Sequence, residues 1–189
     1  MNEPLKILGI PGSLRRGSYN RAALNAAQSL VPAGASLEIY DLEGLPLFNE
    51  DLESQPTPKV TDFKERIREA DAILFCTPEY NYSIPGVLKN AIDCASRPYG
   101  DNAWPGKPVA VMGASIGRFG SARAQYHLRQ TFIFLNMFPV NQPEVMIGLA
   151  GKAFDAQGKL IDETSRKLIR QLLENLAQWT RQLKQKSLG

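Results

Sequence analysis

The segment Gly12-Ser13-Leu14-Arg15-Arg16-Gly17-Ser18-Tyr19-Asn20 concentrates glycine, hydroxyl, amide and guanidinium groups immediately before a run of helical period. A helix N-terminus offers free backbone N–H groups and the positive end of a dipole, and hydroxyls, amides and arginine add directed hydrogen bonds. Such a loop suits a phosphate. Ser13, Arg15, Ser18 and Asn20 are the candidate ligands, with Tyr19 counted in the same site. A single serine in this place more often only caps the helix, and Arg15 and Arg16 could be solvated charges. Four polar groups in one loop tip the reading toward binding. The segment is neither G-x-x-x-x-G-K-[ST] nor G-x-G-x-x-G, which disfavours an NTPase and a nicotinamide Rossmann site. It also lacks the carboxylate cluster of a receiver domain.

A second segment, Thr77-Pro78-Glu79-Tyr80-Asn81-Tyr82-Ser83-Ile84-Pro85-Gly86, is stiffened by prolines and carries flat tyrosines beside an amide that both donates and accepts. A planar heterocycle with polar edges could lie against this loop; the alternative is a rigid loop whose tyrosines pack on a neighbouring subunit. Glu79 reads as a residue that orients this loop and not as a general acid. A third segment, Gly113-Ala114-Ser115-Ile116-Gly117-Arg118-Phe119-Gly120, has glycines that allow a ligand close to the backbone. It also fits G-x-S-x-G, the serine hydrolase elbow. That chemistry needs an acid and then a histidine downstream. The sole histidine is His127, with no Asp or Glu between it and Ser115, so the match is judged accidental and His127 a packing or interface residue.

Elements that could carry these loops alternate along the chain. Lys6 to Ile10, Ser36 to Tyr40, Ala72 to Cys76, Val109 to Gly113 and a proline-interrupted Val140 to Met146 are strand-length runs. Tyr19 to Val31, Val60 to Glu69, Pro85 to Ser96, Ser121 to Leu135 and Ile161 to Leu183 have helical character, with Pro85 suited to a first turn. Asp41 to Pro58 is a long loop of the kind that is often functional. This alternation predicts an α/β fold with a parallel sheet covered on both faces, and ligands in such sheets bind beyond the strands' carboxyl ends. That is where the three segments lie.

At 189 residues and 43% hydrophobic composition, residues 1–189 are expected to form one domain. The net charge of +3 is dispersed, with no basic run to track nucleic acid. Cys76 and Cys94 have neither metal-site nor redox-motif spacing. The beginning Met1-Asn2-Glu3-Pro4-Leu5-Lys6 has no secretory pattern, and no run approaches a membrane span, so a cytoplasmic location without membrane partners is expected.

Gly12-Ser13-Leu14-Arg15 with Ser18 and Asn20, then Pro78-Glu79-Tyr80-Asn81-Tyr82-Ser83, then Ser115 among glycines, together resemble the NADPH-dependent FMN reductase family, close to bacterial quinone and chromate reductases. The resemblance runs from Leu5 to about Gly148. It implies a flavodoxin-like, doubly wound, five-stranded parallel sheet in the order 2-1-3-4-5 with helices on both faces. It further implies that Ser13, Arg15, Ser18 and Asn20 hold the FMN phosphate, that Pro78 to Asn81 line the isoalloxazine, and that Ser115 and Gly117 lie near it. NADPH or NADH would supply electrons for a quinone or a similar small acceptor, such as chromate, an azo dye or a nitro compound. The family resemblance also implies a homodimer or homotetramer, with Arg123, Tyr126 and Glu144 in an interface network. A flavodoxin-like electron carrier without nicotinamide oxidation, and a module that binds no flavin, are the alternatives.

Overall fold

The computed structural model describes residues 4–186. Met1 to Glu3, part of the segment read as lacking a secretory signal, lie outside the described residues. The chain runs through β1 (Leu5–Pro11), α1 (Tyr19–Gln28), β2 (Ala35–Ile39), α2 (Pro58–Glu69), β3 (Ala72–Cys76), α3 (Gly86–Ser96), β4 (Pro108–Ala114) and α4 (Ala122–Phe134). It continues with β5 (Phe138–Pro139), β6 (Val145–Ile147), a one-turn α5 (Ala150–Ala153) and the long α6 (Glu163–Lys186).

The strands are all parallel in the order β2-β1-β3-β4, with β5 and β6 both paired to β4. This is the doubly wound 2-1-3-4-5 arrangement of the flavodoxin-like fold, with its fifth position broken in two. The expected continuous strand from Val140 to Met146 is corrected accordingly: Phe138–Pro139 pairs with Pro108 and Val109, and Val145–Ile147 with Met112 to Ala114. Pro139 and Pro143 lack the N–H groups that a ladder needs, so the edge cannot pair along its whole length.

Alternation along the inner strands divides the core. Ile7, Leu74, Cys76, Ala110 and Met112 face α1 and α6, where they meet Leu24, Ala27, Ile169, Leu172 and Leu176. Leu8, Ile73, Phe75, Val109 and Val111 point the other way, toward Phe63, Ile67, Leu88, Leu128 and Phe132 of α2, α3 and α4. A period of two places successive side chains on opposite faces, so β3 is buried throughout. Each fully buried large aliphatic contributes about 1.5–3 kcal/mol through lost apolar hydration. Trp104, completely buried, fills the corner between Phe63 and Phe75 and donates its indole N–H to the Ile92 carbonyl at 3.1 Å.

Helix starts differ slightly from expectation. Pro85 is the residue just before α3, not within its first turn, and its φ of −59° still suits helix entry. The long segment after β2 is pinned. Asn90 accepts from the Phe48 N–H and donates to the Pro46 carbonyl, each at 2.8 Å, and Arg97 pairs with Glu50 and Glu53. A depression of about 150 Å³ remains beneath it, walled mainly by Leu47, Phe48, Leu52 and Val60 and away from the carboxyl ends of β1, β3 and β4.

Candidate functional site

Three loops leave the carboxyl ends of β1, β3 and β4 and enclose a crevice of about 500 Å³. All the sequence-derived site residues line it except Asn81 and Gly117. Ala114 and Ile116 line it as well; nothing in their residue type announces a binding role. The first two loops meet closely at Gly12, whose N–H donates to the Cys76 carbonyl at 2.8 Å. A β-carbon there would press on Pro78 Cδ and Thr77 Oγ1 at 3.1 Å, so glycine is what lets the walls converge.

At one end stands the start of α1. Ser18 is buried at its N-cap and accepts from the Arg21 N–H at 3.3 Å, so the capping role is present. Its hydroxyl proton faces no partner from that bond, and the same oxygen can cap while its hydrogen donates outward. No acidic residue occupies the first turn to offset the dipole. Ser13 Oγ accepts from the Arg15 N–H at 3.2 Å and lies 3.4 Å from the Tyr80 hydroxyl, joining the first and second loops. Arg15 is exposed and its guanidinium sits 5.7 Å from the Tyr19 ring centroid.

Asn20 is built in differently from its neighbours. Its amide accepts from the Ala114 N–H at 2.8 Å and donates to the Ala114 carbonyl at 3.0 Å, fastening α1 to the end of β4. The Cys76 thiol, whose pKa burial pushes up, also donates to Asn20 Oδ1 at 3.4 Å. Asn20 therefore shapes the crevice floor through protein contacts.

The second loop ends in a tight two-residue reversal. Tyr80 and Ser83 exchange backbone hydrogen bonds of 3.2 and 3.0 Å, while Asn81 and Tyr82 take left-handed φ values of 49° and 68°. That is the geometry of a type I′ turn, natural for asparagine and strained for tyrosine. Asn81 sits at the tip, outside the crevice lining. Behind the turn, the Glu79 carboxylate accepts from the Arg123 and Ala124 N–H groups at 3.0 and 3.3 Å. Glu79 thus caps α4 from a distant loop, while Ser121, the local cap residue, is left-handed and makes no side-chain cap bond.

Burial alone would raise the Glu79 pKa, but the hydrogen bond from Arg123 and the helix N–H groups override it and hold the carboxyl below its ordinary 4.5. The folded value is depressed, so the stabilisation is complete above 4.5 and disappears as pH falls through the lower folded value. Glu79→Gln should cost about 1–3 kcal/mol near neutrality, and urea unfolding should show the gap to wild type closing in acid. A gap that does not change between pH 7 and strongly acidic solution would contradict this assignment.

The third loop is tied to β6 and α5. Ser115 donates its N–H to the Ile147 carbonyl at 3.0 Å and its hydroxyl to the Gly117 carbonyl at 3.2 Å. Ala150 and Leu149 return N–H bonds to the Ser115 and Gly117 carbonyls at 3.0 and 2.9 Å. His127 lies elsewhere, with Nδ1 3.0 Å from Ser83 Oγ. The Ser115 hydroxyl is engaged on the Gly117 carbonyl and the sole histidine on Ser83, so the hydrolase elbow is a coincidence of spelling. Gln125, buried and invisible as a site residue in the sequence, donates to Gly120, Ser121 and Val145 and locks this loop to α4 and β6.

Of the three residues tied to an interface, Tyr126 is bonded to Glu144 within the chain, and this bond raises the tyrosine pKa. Arg123 is turned instead toward Glu79. Among the described residues no helix is long and apolar enough to cross a membrane.

The family model for NADPH-dependent FMN reductases matches residues 5–152. An NAD(P)H-dependent FMN reductase of Pseudomonas aeruginosa is 58% identical over 185 residues, covering 97% of this chain and all of that protein. A 2-hydroxy-1,4-benzoquinone reductase of a Burkholderia species is 44% identical over 94% of this chain and 97% of its own. The solved structure of FerB, a flavoenzyme NAD(P)H:(acceptor) oxidoreductase from Paracoccus denitrificans, superposes with a TM-score of 0.86 at 35% identity, covering 94% of this chain and 98% of that one. With a crevice framed by the very loops that carried the sequence motifs, and with relatives matching along nearly its whole length, the chain belongs to the NADPH-dependent FMN reductase family.

Proposed function

We propose that this protein is an FMN-dependent NAD(P)H oxidoreductase that delivers electrons to quinones or similar small acceptors. The observation that carries the reading is the crevice itself, with hydroxyls, a guanidinium and an uncompensated helix N-terminus at one end and Pro78 and Tyr80 along its wall. That donor set fits a phosphomonoester with a flat ring attached. Ser13, Arg15 and Ser18 would hold the phosphate, with Tyr19 and Arg15 forming the outer rim. Asn20 serves the same end by fixing Ala114, and Pro78, Glu79, Tyr80, Ser115 and Ile116 frame the ring's place, with Asn81 and Gly117 at its margins.

When bound in this crevice, FMN would supply the hydride and electron-transfer chemistry that links a nicotinamide to the acceptor. The chain's own residues bind, orient and shelter. No side-chain acid or base is required in this division of labour, which accords with Glu79 being engaged as a helix cap. Exposed Tyr80 and Ile116 offer apolar surface on the crevice wall, and Tyr82 and Phe119 are exposed on the same two loops, which suits flat quinones and also azo or nitro compounds. Chromate is proposed as a further acceptor at the same crevice.

Titration of FMN into flavin-free protein, followed by rapid mixing with NADPH or NADH, tests the reading. Stoichiometric binding and bleaching of the yellow colour are expected. Binding without bleaching would favour the electron carrier, and no binding would end the proposal. Arg15→Ala should weaken FMN by about 1.5–3 kcal/mol through loss of a charged hydrogen bond, whereas unchanged affinity would remove Arg15 from the site.

The protein is proposed to work in the cytoplasm, in keeping with two buried free thiols, and as a homodimer or homotetramer. Support for assembly comes from α4, which leaves Ile133 84% and Phe134 81% exposed on the side that also carries Tyr126. The Tyr126 and Glu144 pair would belong to that contact. Ile133→Asp with Phe134→Asp should yield monomers in sedimentation velocity; a wild type that sediments as a monomer would refute the assembly.

A further inference from the structure

The strained tip of the second loop is held from outside. Arg123, in the first turn of α4, places its guanidinium 3.5 Å from the Tyr82 ring centroid and 5.3 Å from that of Phe119, and it forms an ion pair with Glu79. One side chain therefore touches both the second and the third crevice loops. One turn further along, His127 meets Ser83, the residue that closes the reversal. Arg123 keeps this pose with its Nε buried and without a hydrogen-bond partner. A buried unbonded donor is costly, so the ion pair and the stacked rings must outweigh it. The Glu79 side chain is 8% exposed and engaged by the α4 backbone, while Arg123 reaches it from the rim at 36% exposure, so the anchored end of the strut is the carboxylate.

We propose that Arg123 is a positioning residue for the flavin: through Glu79 and Tyr82 it holds Asn81 and Tyr82 in their left-handed turn and sets the gap between the second and third loops. This rests on the reading that FMN occupies the crevice. Without the guanidinium, Glu79 loses its charged partner and Tyr82 loses the contact that offsets its unfavourable backbone angle. The turn then relaxes and the wall on which the ring rests moves. Lysine could keep the charge but not the flat stacking on two rings.

Two measurements decide it. Amide exchange at Tyr80 and Ser83 in flavin-free protein reads the turn directly, and Arg123→Gln should accelerate it about tenfold or more; unchanged exchange would overturn the proposal whether or not FMN binds. FMN titration of the same variant should show a dissociation constant raised about tenfold or more with an altered visible spectrum of the bound flavin, and Arg123→Lys should fall between it and wild type. Glu79→Gln should behave alike, and the double variant should be no worse than the harsher single one, as groups acting as a unit require. Wild-type affinity and spectrum in Arg123→Gln would also defeat the proposal. So would an equal loss of FMN in Leu172→Ala, a core change remote from the crevice, at matched loss of melting temperature. A wild type that fails to bind FMN would instead sink the functional reading, leaving the exchange result to judge the strut.

Discussion

Asn20→Ala loses about 2–5 kcal/mol of folding stability in urea titrations carried out with no flavin present. The side chain is 3% exposed, and its amide pairs with both backbone groups of Ala114, a residue itself 2% exposed. Removing the amide strands a donor and an acceptor in the crevice floor, where both are shielded from solvent in the folded chain. A buried group left unbonded costs about 1–3 kcal/mol, and two are orphaned here. The Cys76 thiol also loses its acceptor, a smaller matter for a weak donor. Asn20→Asp would answer the Ala114 N–H but set a carboxylate against the Ala114 carbonyl, so it should be no better. A loss below about 1 kcal/mol for Asn20→Ala would mean the amide is replaceable by solvent, and the fastening role would be wrong.

This residue marks the boundary of what could be read from sequence. The phosphate-type loop, the rigid second loop and the glycine-rich third loop are local features, set by residue types within a few positions of one another, and they do converge on one crevice. Ala72 to Cys76 is legible for the same reason, since five apolar residues bounded by Asp71 and Thr77 admit only a buried strand. Asn20 looks like another donor to an anion because its partner, Ala114, is 94 residues away. The Glu79 and Arg123 strut is hidden likewise: the two are 44 positions apart, and only the parallel order β1-β3-β4 brings the loop after β3 onto the start of α4. The split fifth strand was half legible. Its prolines announced an edge, but how the edge pairs depends on the register of Met112 to Ala114 against Val145 to Ile147, which no local pattern states. The segment after β2 reads as a long, functional type of loop by length, and Asn90 of α3 with Arg97 just past its end holds it.

The G-x-S-x-G spelling gives the second large effect, because its two glycines have unrelated reasons to be there. A β-carbon on Gly113 would collide with the Thr77 carbonyl oxygen and the Ser121 hydroxyl. Thr77 cannot retreat, since its N–H donates to the Met112 carbonyl at 3.0 Å and Thr77 is fully buried at the exit of β3. Gly113→Ala must therefore push β3 and β4 apart where the second and third loops begin, at a cost on the order of 3 kcal/mol. FMN affinity should fall with stability, as both walls of the crevice hang from that point. Gly117 is the contrasting case: a β-carbon there meets only Ser115 Oγ, at 3.8 Å. Gly117→Ala should leave urea stability within about 0.5 kcal/mol of wild type, as an exposed change with room around it does. If the ring comes close to this backbone, that same variant weakens FMN while the flavin-free protein stays as stable as before. A Gly117→Ala protein with unaltered affinity and turnover would take Gly117 out of the site, and a Gly113→Ala protein with unaltered stability would show that β3 and β4 can separate without strain.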